Sequence, residues 1–190
     1  SITGPLVTFL GVVTYDKGSF HLIQALEQLW SRGEDLSLVI AGSPVEEFDR
    51  FYRRLAPGTR ERIIRVGVVR GQEKRDLLAA TDVLALPSRI DSFGIVYLEA
   101  WAYRKPVIGA LAGGVPDVIE HGRDGLLVPF GDIAALSDAI HTLLTKPDLA
   151  QSMGEYGRAK IEARYTWDEI HRRLDEIYRQ LRRESSASCH

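Results

Sequence analysis

Short apolar runs alternate along this chain with segments in which apolar residues return every three or four positions. Runs at Leu6–Gly11, Leu36–Ala41, Ile63–Gly67, Val83–Leu86, Pro106–Ile108 and Gly125–Val128 predict six strands. Between them, helical periodicity covers Ser19–Arg32, Glu46–Leu55, Glu73–Ala80, Ile95–Tyr103 and Ile133–Leu144, with a helical turn at Pro116–Glu120. Pro57-Gly58 is read as the stop of the second helix. Strands that are apolar on both faces, each followed by a helix, predict a parallel sheet covered on both sides. From Asp148 onward the pattern is helical only, with a break at Tyr165-Thr166-Trp167-Asp168. Thr166 is the expected N-cap there, and Glu169, three residues on, would complete a capping box.

Neither internal repeats nor low-complexity linkers interrupt this pattern. The expectation is therefore one α/β domain over residues 1–184. It is a Rossmann-like parallel sheet of about six strands with helices on both faces and further C-terminal helices, followed by a disordered tail at 185–190. Its 190 residues, 45% of them hydrophobic, suffice for a real core. A net charge of −2 excludes a general nucleic-acid binder, which needs a basic surface. The single cysteine, Cys189, excludes a disulfide framework or a cysteine-rich metal site. No apolar run reaches the roughly 18 residues of a membrane span, and no signal peptide precedes the first strand, so a cytoplasmic protein is expected. The chain opens almost directly on a buried strand, as an excised domain would. Arg172, Arg173, Arg179, Arg182 and Arg183 make the last helix basic. That is read as a solvated face, with peripheral contact to anionic lipid at the inner membrane face as the lesser alternative.

The first strand is followed by Gly11-Val12-Val13-Thr14-Tyr15-Asp16-Lys17-Gly18, which is not the Gly-x-Gly-x-x-Gly of a dinucleotide site, and no Walker sequence appears. The best anion site is the helix opening near Ser92-Phe93-Gly94. Its first N–H groups lack intrahelical partners, and the macrodipole adds about half a positive charge. Gly94 admits a close ligand approach. Gly113-Gly114, ahead of Pro116, forms a second glycine-rich turn. Both turns belong at the carboxyl edge of the sheet, where open α/β sheets bind ligands. Taken singly, Asp91 reads as a helix cap, Lys17 as a surface lysine and Gly113-Gly114 as a tight turn. Glu99, flanked by Leu98 and Ala100, is either exposed or bound to something, because an unpaired buried carboxylate is costly. His121, His141 and His171 have no ligand spacing and are read as structural or solvated. Asp82, Asp124 and Asp132 are read as turn or cap residues.

In order, the motifs Gly11/Lys17-Gly18, Ala41-Gly42-Ser43-Pro44, Val66-Gly67, Asp91/Glu99, Pro106-Val107-Ile108, Gly113-Gly114, Gly125-Leu126-Leu127-Val128, Gly131-Asp132 and Tyr165-Thr166-Trp167 resemble those of the retaining glycosyltransferases of family 4. The resemblance runs from about Val7 to Leu181. It implies half of a two-domain GT-B fold: the C-terminal, donor-binding domain, with an N-terminal acceptor-binding domain absent from this chain. It also implies a nucleoside-diphosphate sugar as donor, a UDP or GDP sugar among the candidates, and a saccharide or lipid acceptor. By the same resemblance, Glu99 would hold the ribose hydroxyls, and Asp91 would contact hydroxyls of the transferred sugar or orient the loop around it. Amides of Phe93, Gly94, Ile95 and Val96 would cradle the diphosphate with Lys17, and Ser92 would belong to the same binding site. Gly11, Gly42, Ser43, Val68, Gly113 and Gly114 would border the nucleotide. Transfer would proceed with retention, without metal or other cofactor, and the isolated chain would be inactive. The sequence departs from the family at Val12, where Arg is usual, and at Asp91, where Glu is commoner. Arg89 and Arg123 are the candidate replacements for the missing cation. A non-catalytic nucleotide-sugar-binding module and a nucleotide-sugar epimerase are the alternatives.

Overall fold

In the computed structural model, which describes residues 4–187, the six predicted strands form one parallel sheet. They are β1 (Leu6–Leu10), β2 (Ser37–Ala41), β3 (Ile63–Gly67), β4 (Val83–Leu86), β5 (Val107–Ala110) and β6 (Leu126–Val128). Their order is β3-β2-β1-β4-β5-β6, and every pairing is parallel. Every residue of β2, β4 and β5 is buried, so both faces of the sheet are covered. At the β3 edge only Ile63 is buried, and Val66 is 46% exposed.

The helices are α1 (Ser19–Ser31), α2 (Glu46–Arg54), α3 (Pro57–Glu61), α4 (Gly71–Ala80), α5 (Ile95–Ala102), α6 (Val115–Val118), α7 (Ile133–Thr145), α8 (Pro147–Arg164) and α9 (Trp167–Ala187). Pro57 starts a helix instead of only ending one. It occupies the first turn of α3, where its missing N–H costs nothing. The strand expected at Pro106–Ile108 runs two residues further, to Ala110.

The core is continuous. α1 packs on α7, and α5 packs on α8. Phe9, Leu22, Leu26, Tyr97, Trp101 and Ile108 are fully buried, each large apolar side chain contributing roughly 1.5–3 kcal/mol. Buried polar groups at the start of β1 are satisfied: Thr8 Oγ1 and Thr81 Oγ1 are 2.7 Å apart, and the Leu6 N–H donates to Asp82 Oδ2 at 2.7 Å.

Two cap expectations need correction. Thr166 Oγ1 does accept from the Glu169 N–H at 3.3 Å. The Glu169 carboxylate, however, takes Arg172 and Arg173 instead of reaching back, and these guanidiniums hold its pKa down at about 2. Asp124 is no simple turn residue. It is 1% exposed and paired with Lys160, whose ammonium also bonds the Val118 carbonyl and lies over the Trp101 ring. Asp132, by contrast, caps α7 as expected, accepting from the Ala135 N–H at 2.9 Å. α9 continues through Ala187, so residues 185–187 of the expected disordered tail are helical, while 188–190 lie outside the described residues.

Candidate functional site

β1 is central, paired to β2 on one side and β4 on the other, and the chain leaves it in opposite directions. Loops leaving β1 and β4 therefore diverge at their carboxyl ends, opening a crevice at the switch point. The loop after β1 carries Gly11, Val12 and Lys17; the loop after β4 carries Arg89 and Asp91. The two are tied together. The Arg89 N–H donates to the Asp16 carbonyl at 3.0 Å, and Arg89 Nη2 pairs with Asp16 Oδ1 at 2.7 Å. Gly18 (φ 78°) lies so close to Pro87 that any side chain would meet the Pro87 carbonyl.

Lys17 and Asp91 meet across this junction, with Nζ 2.6 Å from Oδ1 and side chains 21% and 14% exposed. Asp91 is thus not the cap of α5. That position belongs to Gly94 (φ 72°), where a β-carbon would overlap the Tyr97 ring. Asp91 Oδ2 is buried and has no hydrogen-bond partner among the described residues, which leaves an acceptor available to a hydroxyl. Burial and the neighbouring Asp91 hold the Tyr97 phenol above its usual range, and its O–H donates to the Leu86 carbonyl at 2.6 Å.

Gly113 and Gly114 pack closely on the loop after β4. The Gly114 N–H donates to the Asp91 carbonyl at 2.8 Å, and a side chain at Gly113 (φ 56°) would meet that same oxygen. Their glycines let this turn seat the loop that carries Asp91 and Ser92. Phe93 leans on Tyr165, ring centroids 5.5 Å apart.

α5 buries Tyr97, Ala100 and Trp101, so Val96 and Glu99, three apart, share its other face. That face lines a cleft of about 400 Å³ with Gly11, Val12, Gly42, Ser43, Val68, Arg70 and Lys74. Gly42 allows the floor to close, since its α-carbon packs against the Gly11 carbonyl with no room for a side chain. Of the expected site residues, Gly11, Gly42, Ser43, Val68, Val96 and Glu99 line this cleft. Lys17, Asp91, Ser92, Phe93 and Gly94 gather at the adjoining N-terminus of α5, which Ile95 opens, 65% exposed.

Glu99 is not a free carboxylate. Its Oε1 is paired with the Lys74 ammonium, on the first turns of α4. Val12 is 52% exposed in this cleft, so the position where the resemblance implies Arg is apolar and open. Neither expected replacement lines it. Arg89 lies over Tyr15 and Phe130, and Arg123 pairs with Glu120 and lies over Tyr156. The cations that do line the cleft are Lys74 and Arg70, and Arg70 makes no ion pair among the described residues. Lys74 carries no signal in the sequence, because its partner is 25 residues away on another element. No group of three or more potential metal ligands occurs among the described residues.

The sequence matches the family of glycosyl transferases group 1 over residues 3–160. A GDP-mannose-dependent monoacylated α-(1-6)-phosphatidylinositol monomannoside mannosyltransferase of Corynebacterium glutamicum is 33% identical over 182 residues, 92% of this chain and 47% of the relative. The crystal structure of Anabaena Alr3699/HepE in complex with UDP-glucose superposes with a TM-score of 0.82 at 25% identity, covering 94% of this chain and 49% of that one. The C-terminal domain of a group 1 family glycosyl transferase (LpcC) of Francisella tularensis has the same fold, with a TM-score of 0.77 at 22% identity, covering 87% and 89%. The chain spans about half the length of the curated relatives it matches.

Proposed function

This chain belongs to the glycosyl transferases group 1 family, and on that premise we propose that it is the donor-binding half of a retaining, metal-independent glycosyltransferase. The observation that carries this reading is the pairing of Lys17 with Asp91 and of Lys74 with Glu99 around the N-terminus of α5, in the crevice between β1 and β4. A nucleoside-diphosphate sugar has three parts to be held, and each has a counterpart here. Glu99 accepts from the ribose diol, since one carboxylate can receive two neighbouring O–H groups. The first-turn amides of α5 and the Lys17 ammonium face the diphosphate. Asp91, through Oδ2, accepts from a hydroxyl of the sugar.

Breaking the glycosidic bond leaves negative charge on the diphosphate. Fixed N–H dipoles and a cation that are already in place stabilise that charge without reorganising. The ion pairs leave their cations largely compensated, so Arg70 supplies the unpaired charge on the cleft wall and takes the place left apolar by Val12. The acceptor, a saccharide or a lipid, is held by the second half of the longer protein, whose closure excludes water from the donor. The isolated chain therefore binds donor and transfers little or no sugar. The exposed Val12 favours a second reading, a module that binds the nucleotide sugar without turning it over.

The test is a calorimetric titration of this chain with UDP, GDP, ADP and dTDP in the presence of a chelator. Selective binding is expected, weakened ~10-fold or more in Glu99→Ala and Lys17→Ala, the loss typical of a hydrogen bond to a charged group. A folded chain that binds none of the four would refute the donor-site reading. Anomer analysis of the product made by the longer protein separates transfer with retention from the non-catalytic alternative, which yields no product.

A further inference from the structure

The position of Lys74 is fixed from both sides. Its helix, α4, opens on Gly71 (φ 52°) and buries Leu78; Lys74 stands one turn before Leu78 and so projects on the same inward side. Across from it, Glu99 stands one turn beyond Val96 on the cleft face of α5. The two side chains are 31% and 32% exposed, and the ammonium engages Oε1. Glu99 lines the cleft, and its Oε2 makes no hydrogen bond among the described residues. A glutamate has three rotatable bonds, and without a partner it must be ordered by its ligand at a cost in affinity. A cation that binds one oxygen in the free protein places that ordering before the ligand arrives.

We propose that Lys74 is a positioning residue for Glu99: it clamps Oε1 so that Oε2 meets the vicinal diol of a ribonucleotide. The inference rests on the donor-site reading above and adds to it a second helix, α4, as the part that sets ribose recognition. Lys74 acts through the carboxylate and does not touch the diphosphate, and this separates it from Lys17. Its removal should cost only the part of the affinity that the diol supplies.

The experiment compares UDP with 2′,3′-dideoxy-UDP, and GDP with 2′,3′-dideoxy-GDP, by calorimetry on this chain. In the starting protein, loss of both hydroxyls is expected to weaken binding ~10- to 100-fold, as for hydrogen bonds to a charged acceptor. In Glu99→Gln that ratio should fall to within about threefold of unity, and Lys74→Met should do the same while binding the dideoxy nucleotide as the parent does. Lys74→Arg, which keeps the charge and the reach, should restore the ratio. Lys17→Ala should weaken both nucleotides alike and leave the ratio intact. If Lys74→Met weakens the ribo- and dideoxynucleotides equally, or changes neither, the positioning role is wrong while the donor site stands. If Glu99→Gln leaves the ratio unchanged, or the folded parent binds none of UDP, GDP, ADP and dTDP, both the inference and the reading beneath it fall.

Discussion

His21, on the first turns of α1, is 7% exposed, and its ring lies edge-on to Tyr15 and to Phe130, each 4.8 Å away. Nδ1 is buried without a partner among the described residues, so a second ring proton would have no acceptor. Burial, and then the nearby Arg89 guanidinium, itself paired with Asp16, hold its pKa below the ordinary 6.5. The unfolded chain therefore binds this proton more readily than the folded one. The contribution is complete above pH 6.5 and is lost as pH falls from there toward the folded value. Urea midpoints should fall between pH 7.5 and 5.0 by more in the starting protein than in His21→Phe, which keeps the ring packing without the titration. Equal shifts would show that His21 is not the sensitive group. A residue whose chemistry is local, such as the α7 cap Asp132, was legible in the sequence. Lys17, Asp91 and Glu99 were singled out by the family resemblance, whereas taken singly Asp91 read as a helix cap and Lys17 as a surface lysine. Lys74 and Asp124 were not legible, since each is defined by a partner on a distant element: Lys74 by Glu99, Asp124 by Lys160. The replacement cation was sought at Arg89 and Arg123, which aromatic faces and acidic neighbours hold elsewhere.

Packing of α8 on α5 depends on two glycines. A side chain at Gly154 would meet the Arg104 carbonyl, and one at Gly157 would overlap the Trp101 indole. That indole cannot retreat, because its Nε1–H donates to the Asp124 carbonyl at 2.8 Å and the ring is fully buried. Two effects oppose each other in Gly157→Ala. Helix propensity favours alanine by about 1 kcal/mol, while overpacking a closed contact costs roughly 1–3 kcal/mol. The contact should win, lowering the melting temperature by several degrees in a scanning calorimeter. An unchanged or higher value would mean that α8 shifts freely on α5. Elements were more legible than their junctions. All six strands follow from apolar runs, whereas α3 was missed because Pro57-Gly58 stops one helix and its proline starts the next. The half-formed capping box at Thr166 has a similar origin: two arginines one turn on outcompete a single backbone N–H for Glu169.

Over the molecule as a whole, the closed part ends with α8. None of the α9 residues described through Arg182 is buried, and Trp167, Ile177 and Tyr178 are 75%, 54% and 63% exposed. A chain ending at Thr166 should therefore unfold in one cooperative transition within a few degrees of the longer form and bind the same nucleotide. A broad or two-step transition would assign α9 a place in the core. Val12, Val68, Ile90 and Ile95 are all more than half exposed around the crevice, on the side assigned above to closure with an acceptor half. That assignment comes from the family and from a chain spanning about half of its relatives; apolar periodicity alone is silent on what faces a surface. The strand order has one more consequence. β4 enters beside β1 only after β2 and β3 have been laid down on the other side, and Lys17 waits 74 residues for Asp91. During synthesis, a ribosome-bound chain that has exposed β1 through β3 holds half a crevice and no clamp. Capture on immobilised nucleotide should begin only once α5 and the Gly113-Gly114 turn have left the exit tunnel, so the ligand would report when the two halves of the sheet have met.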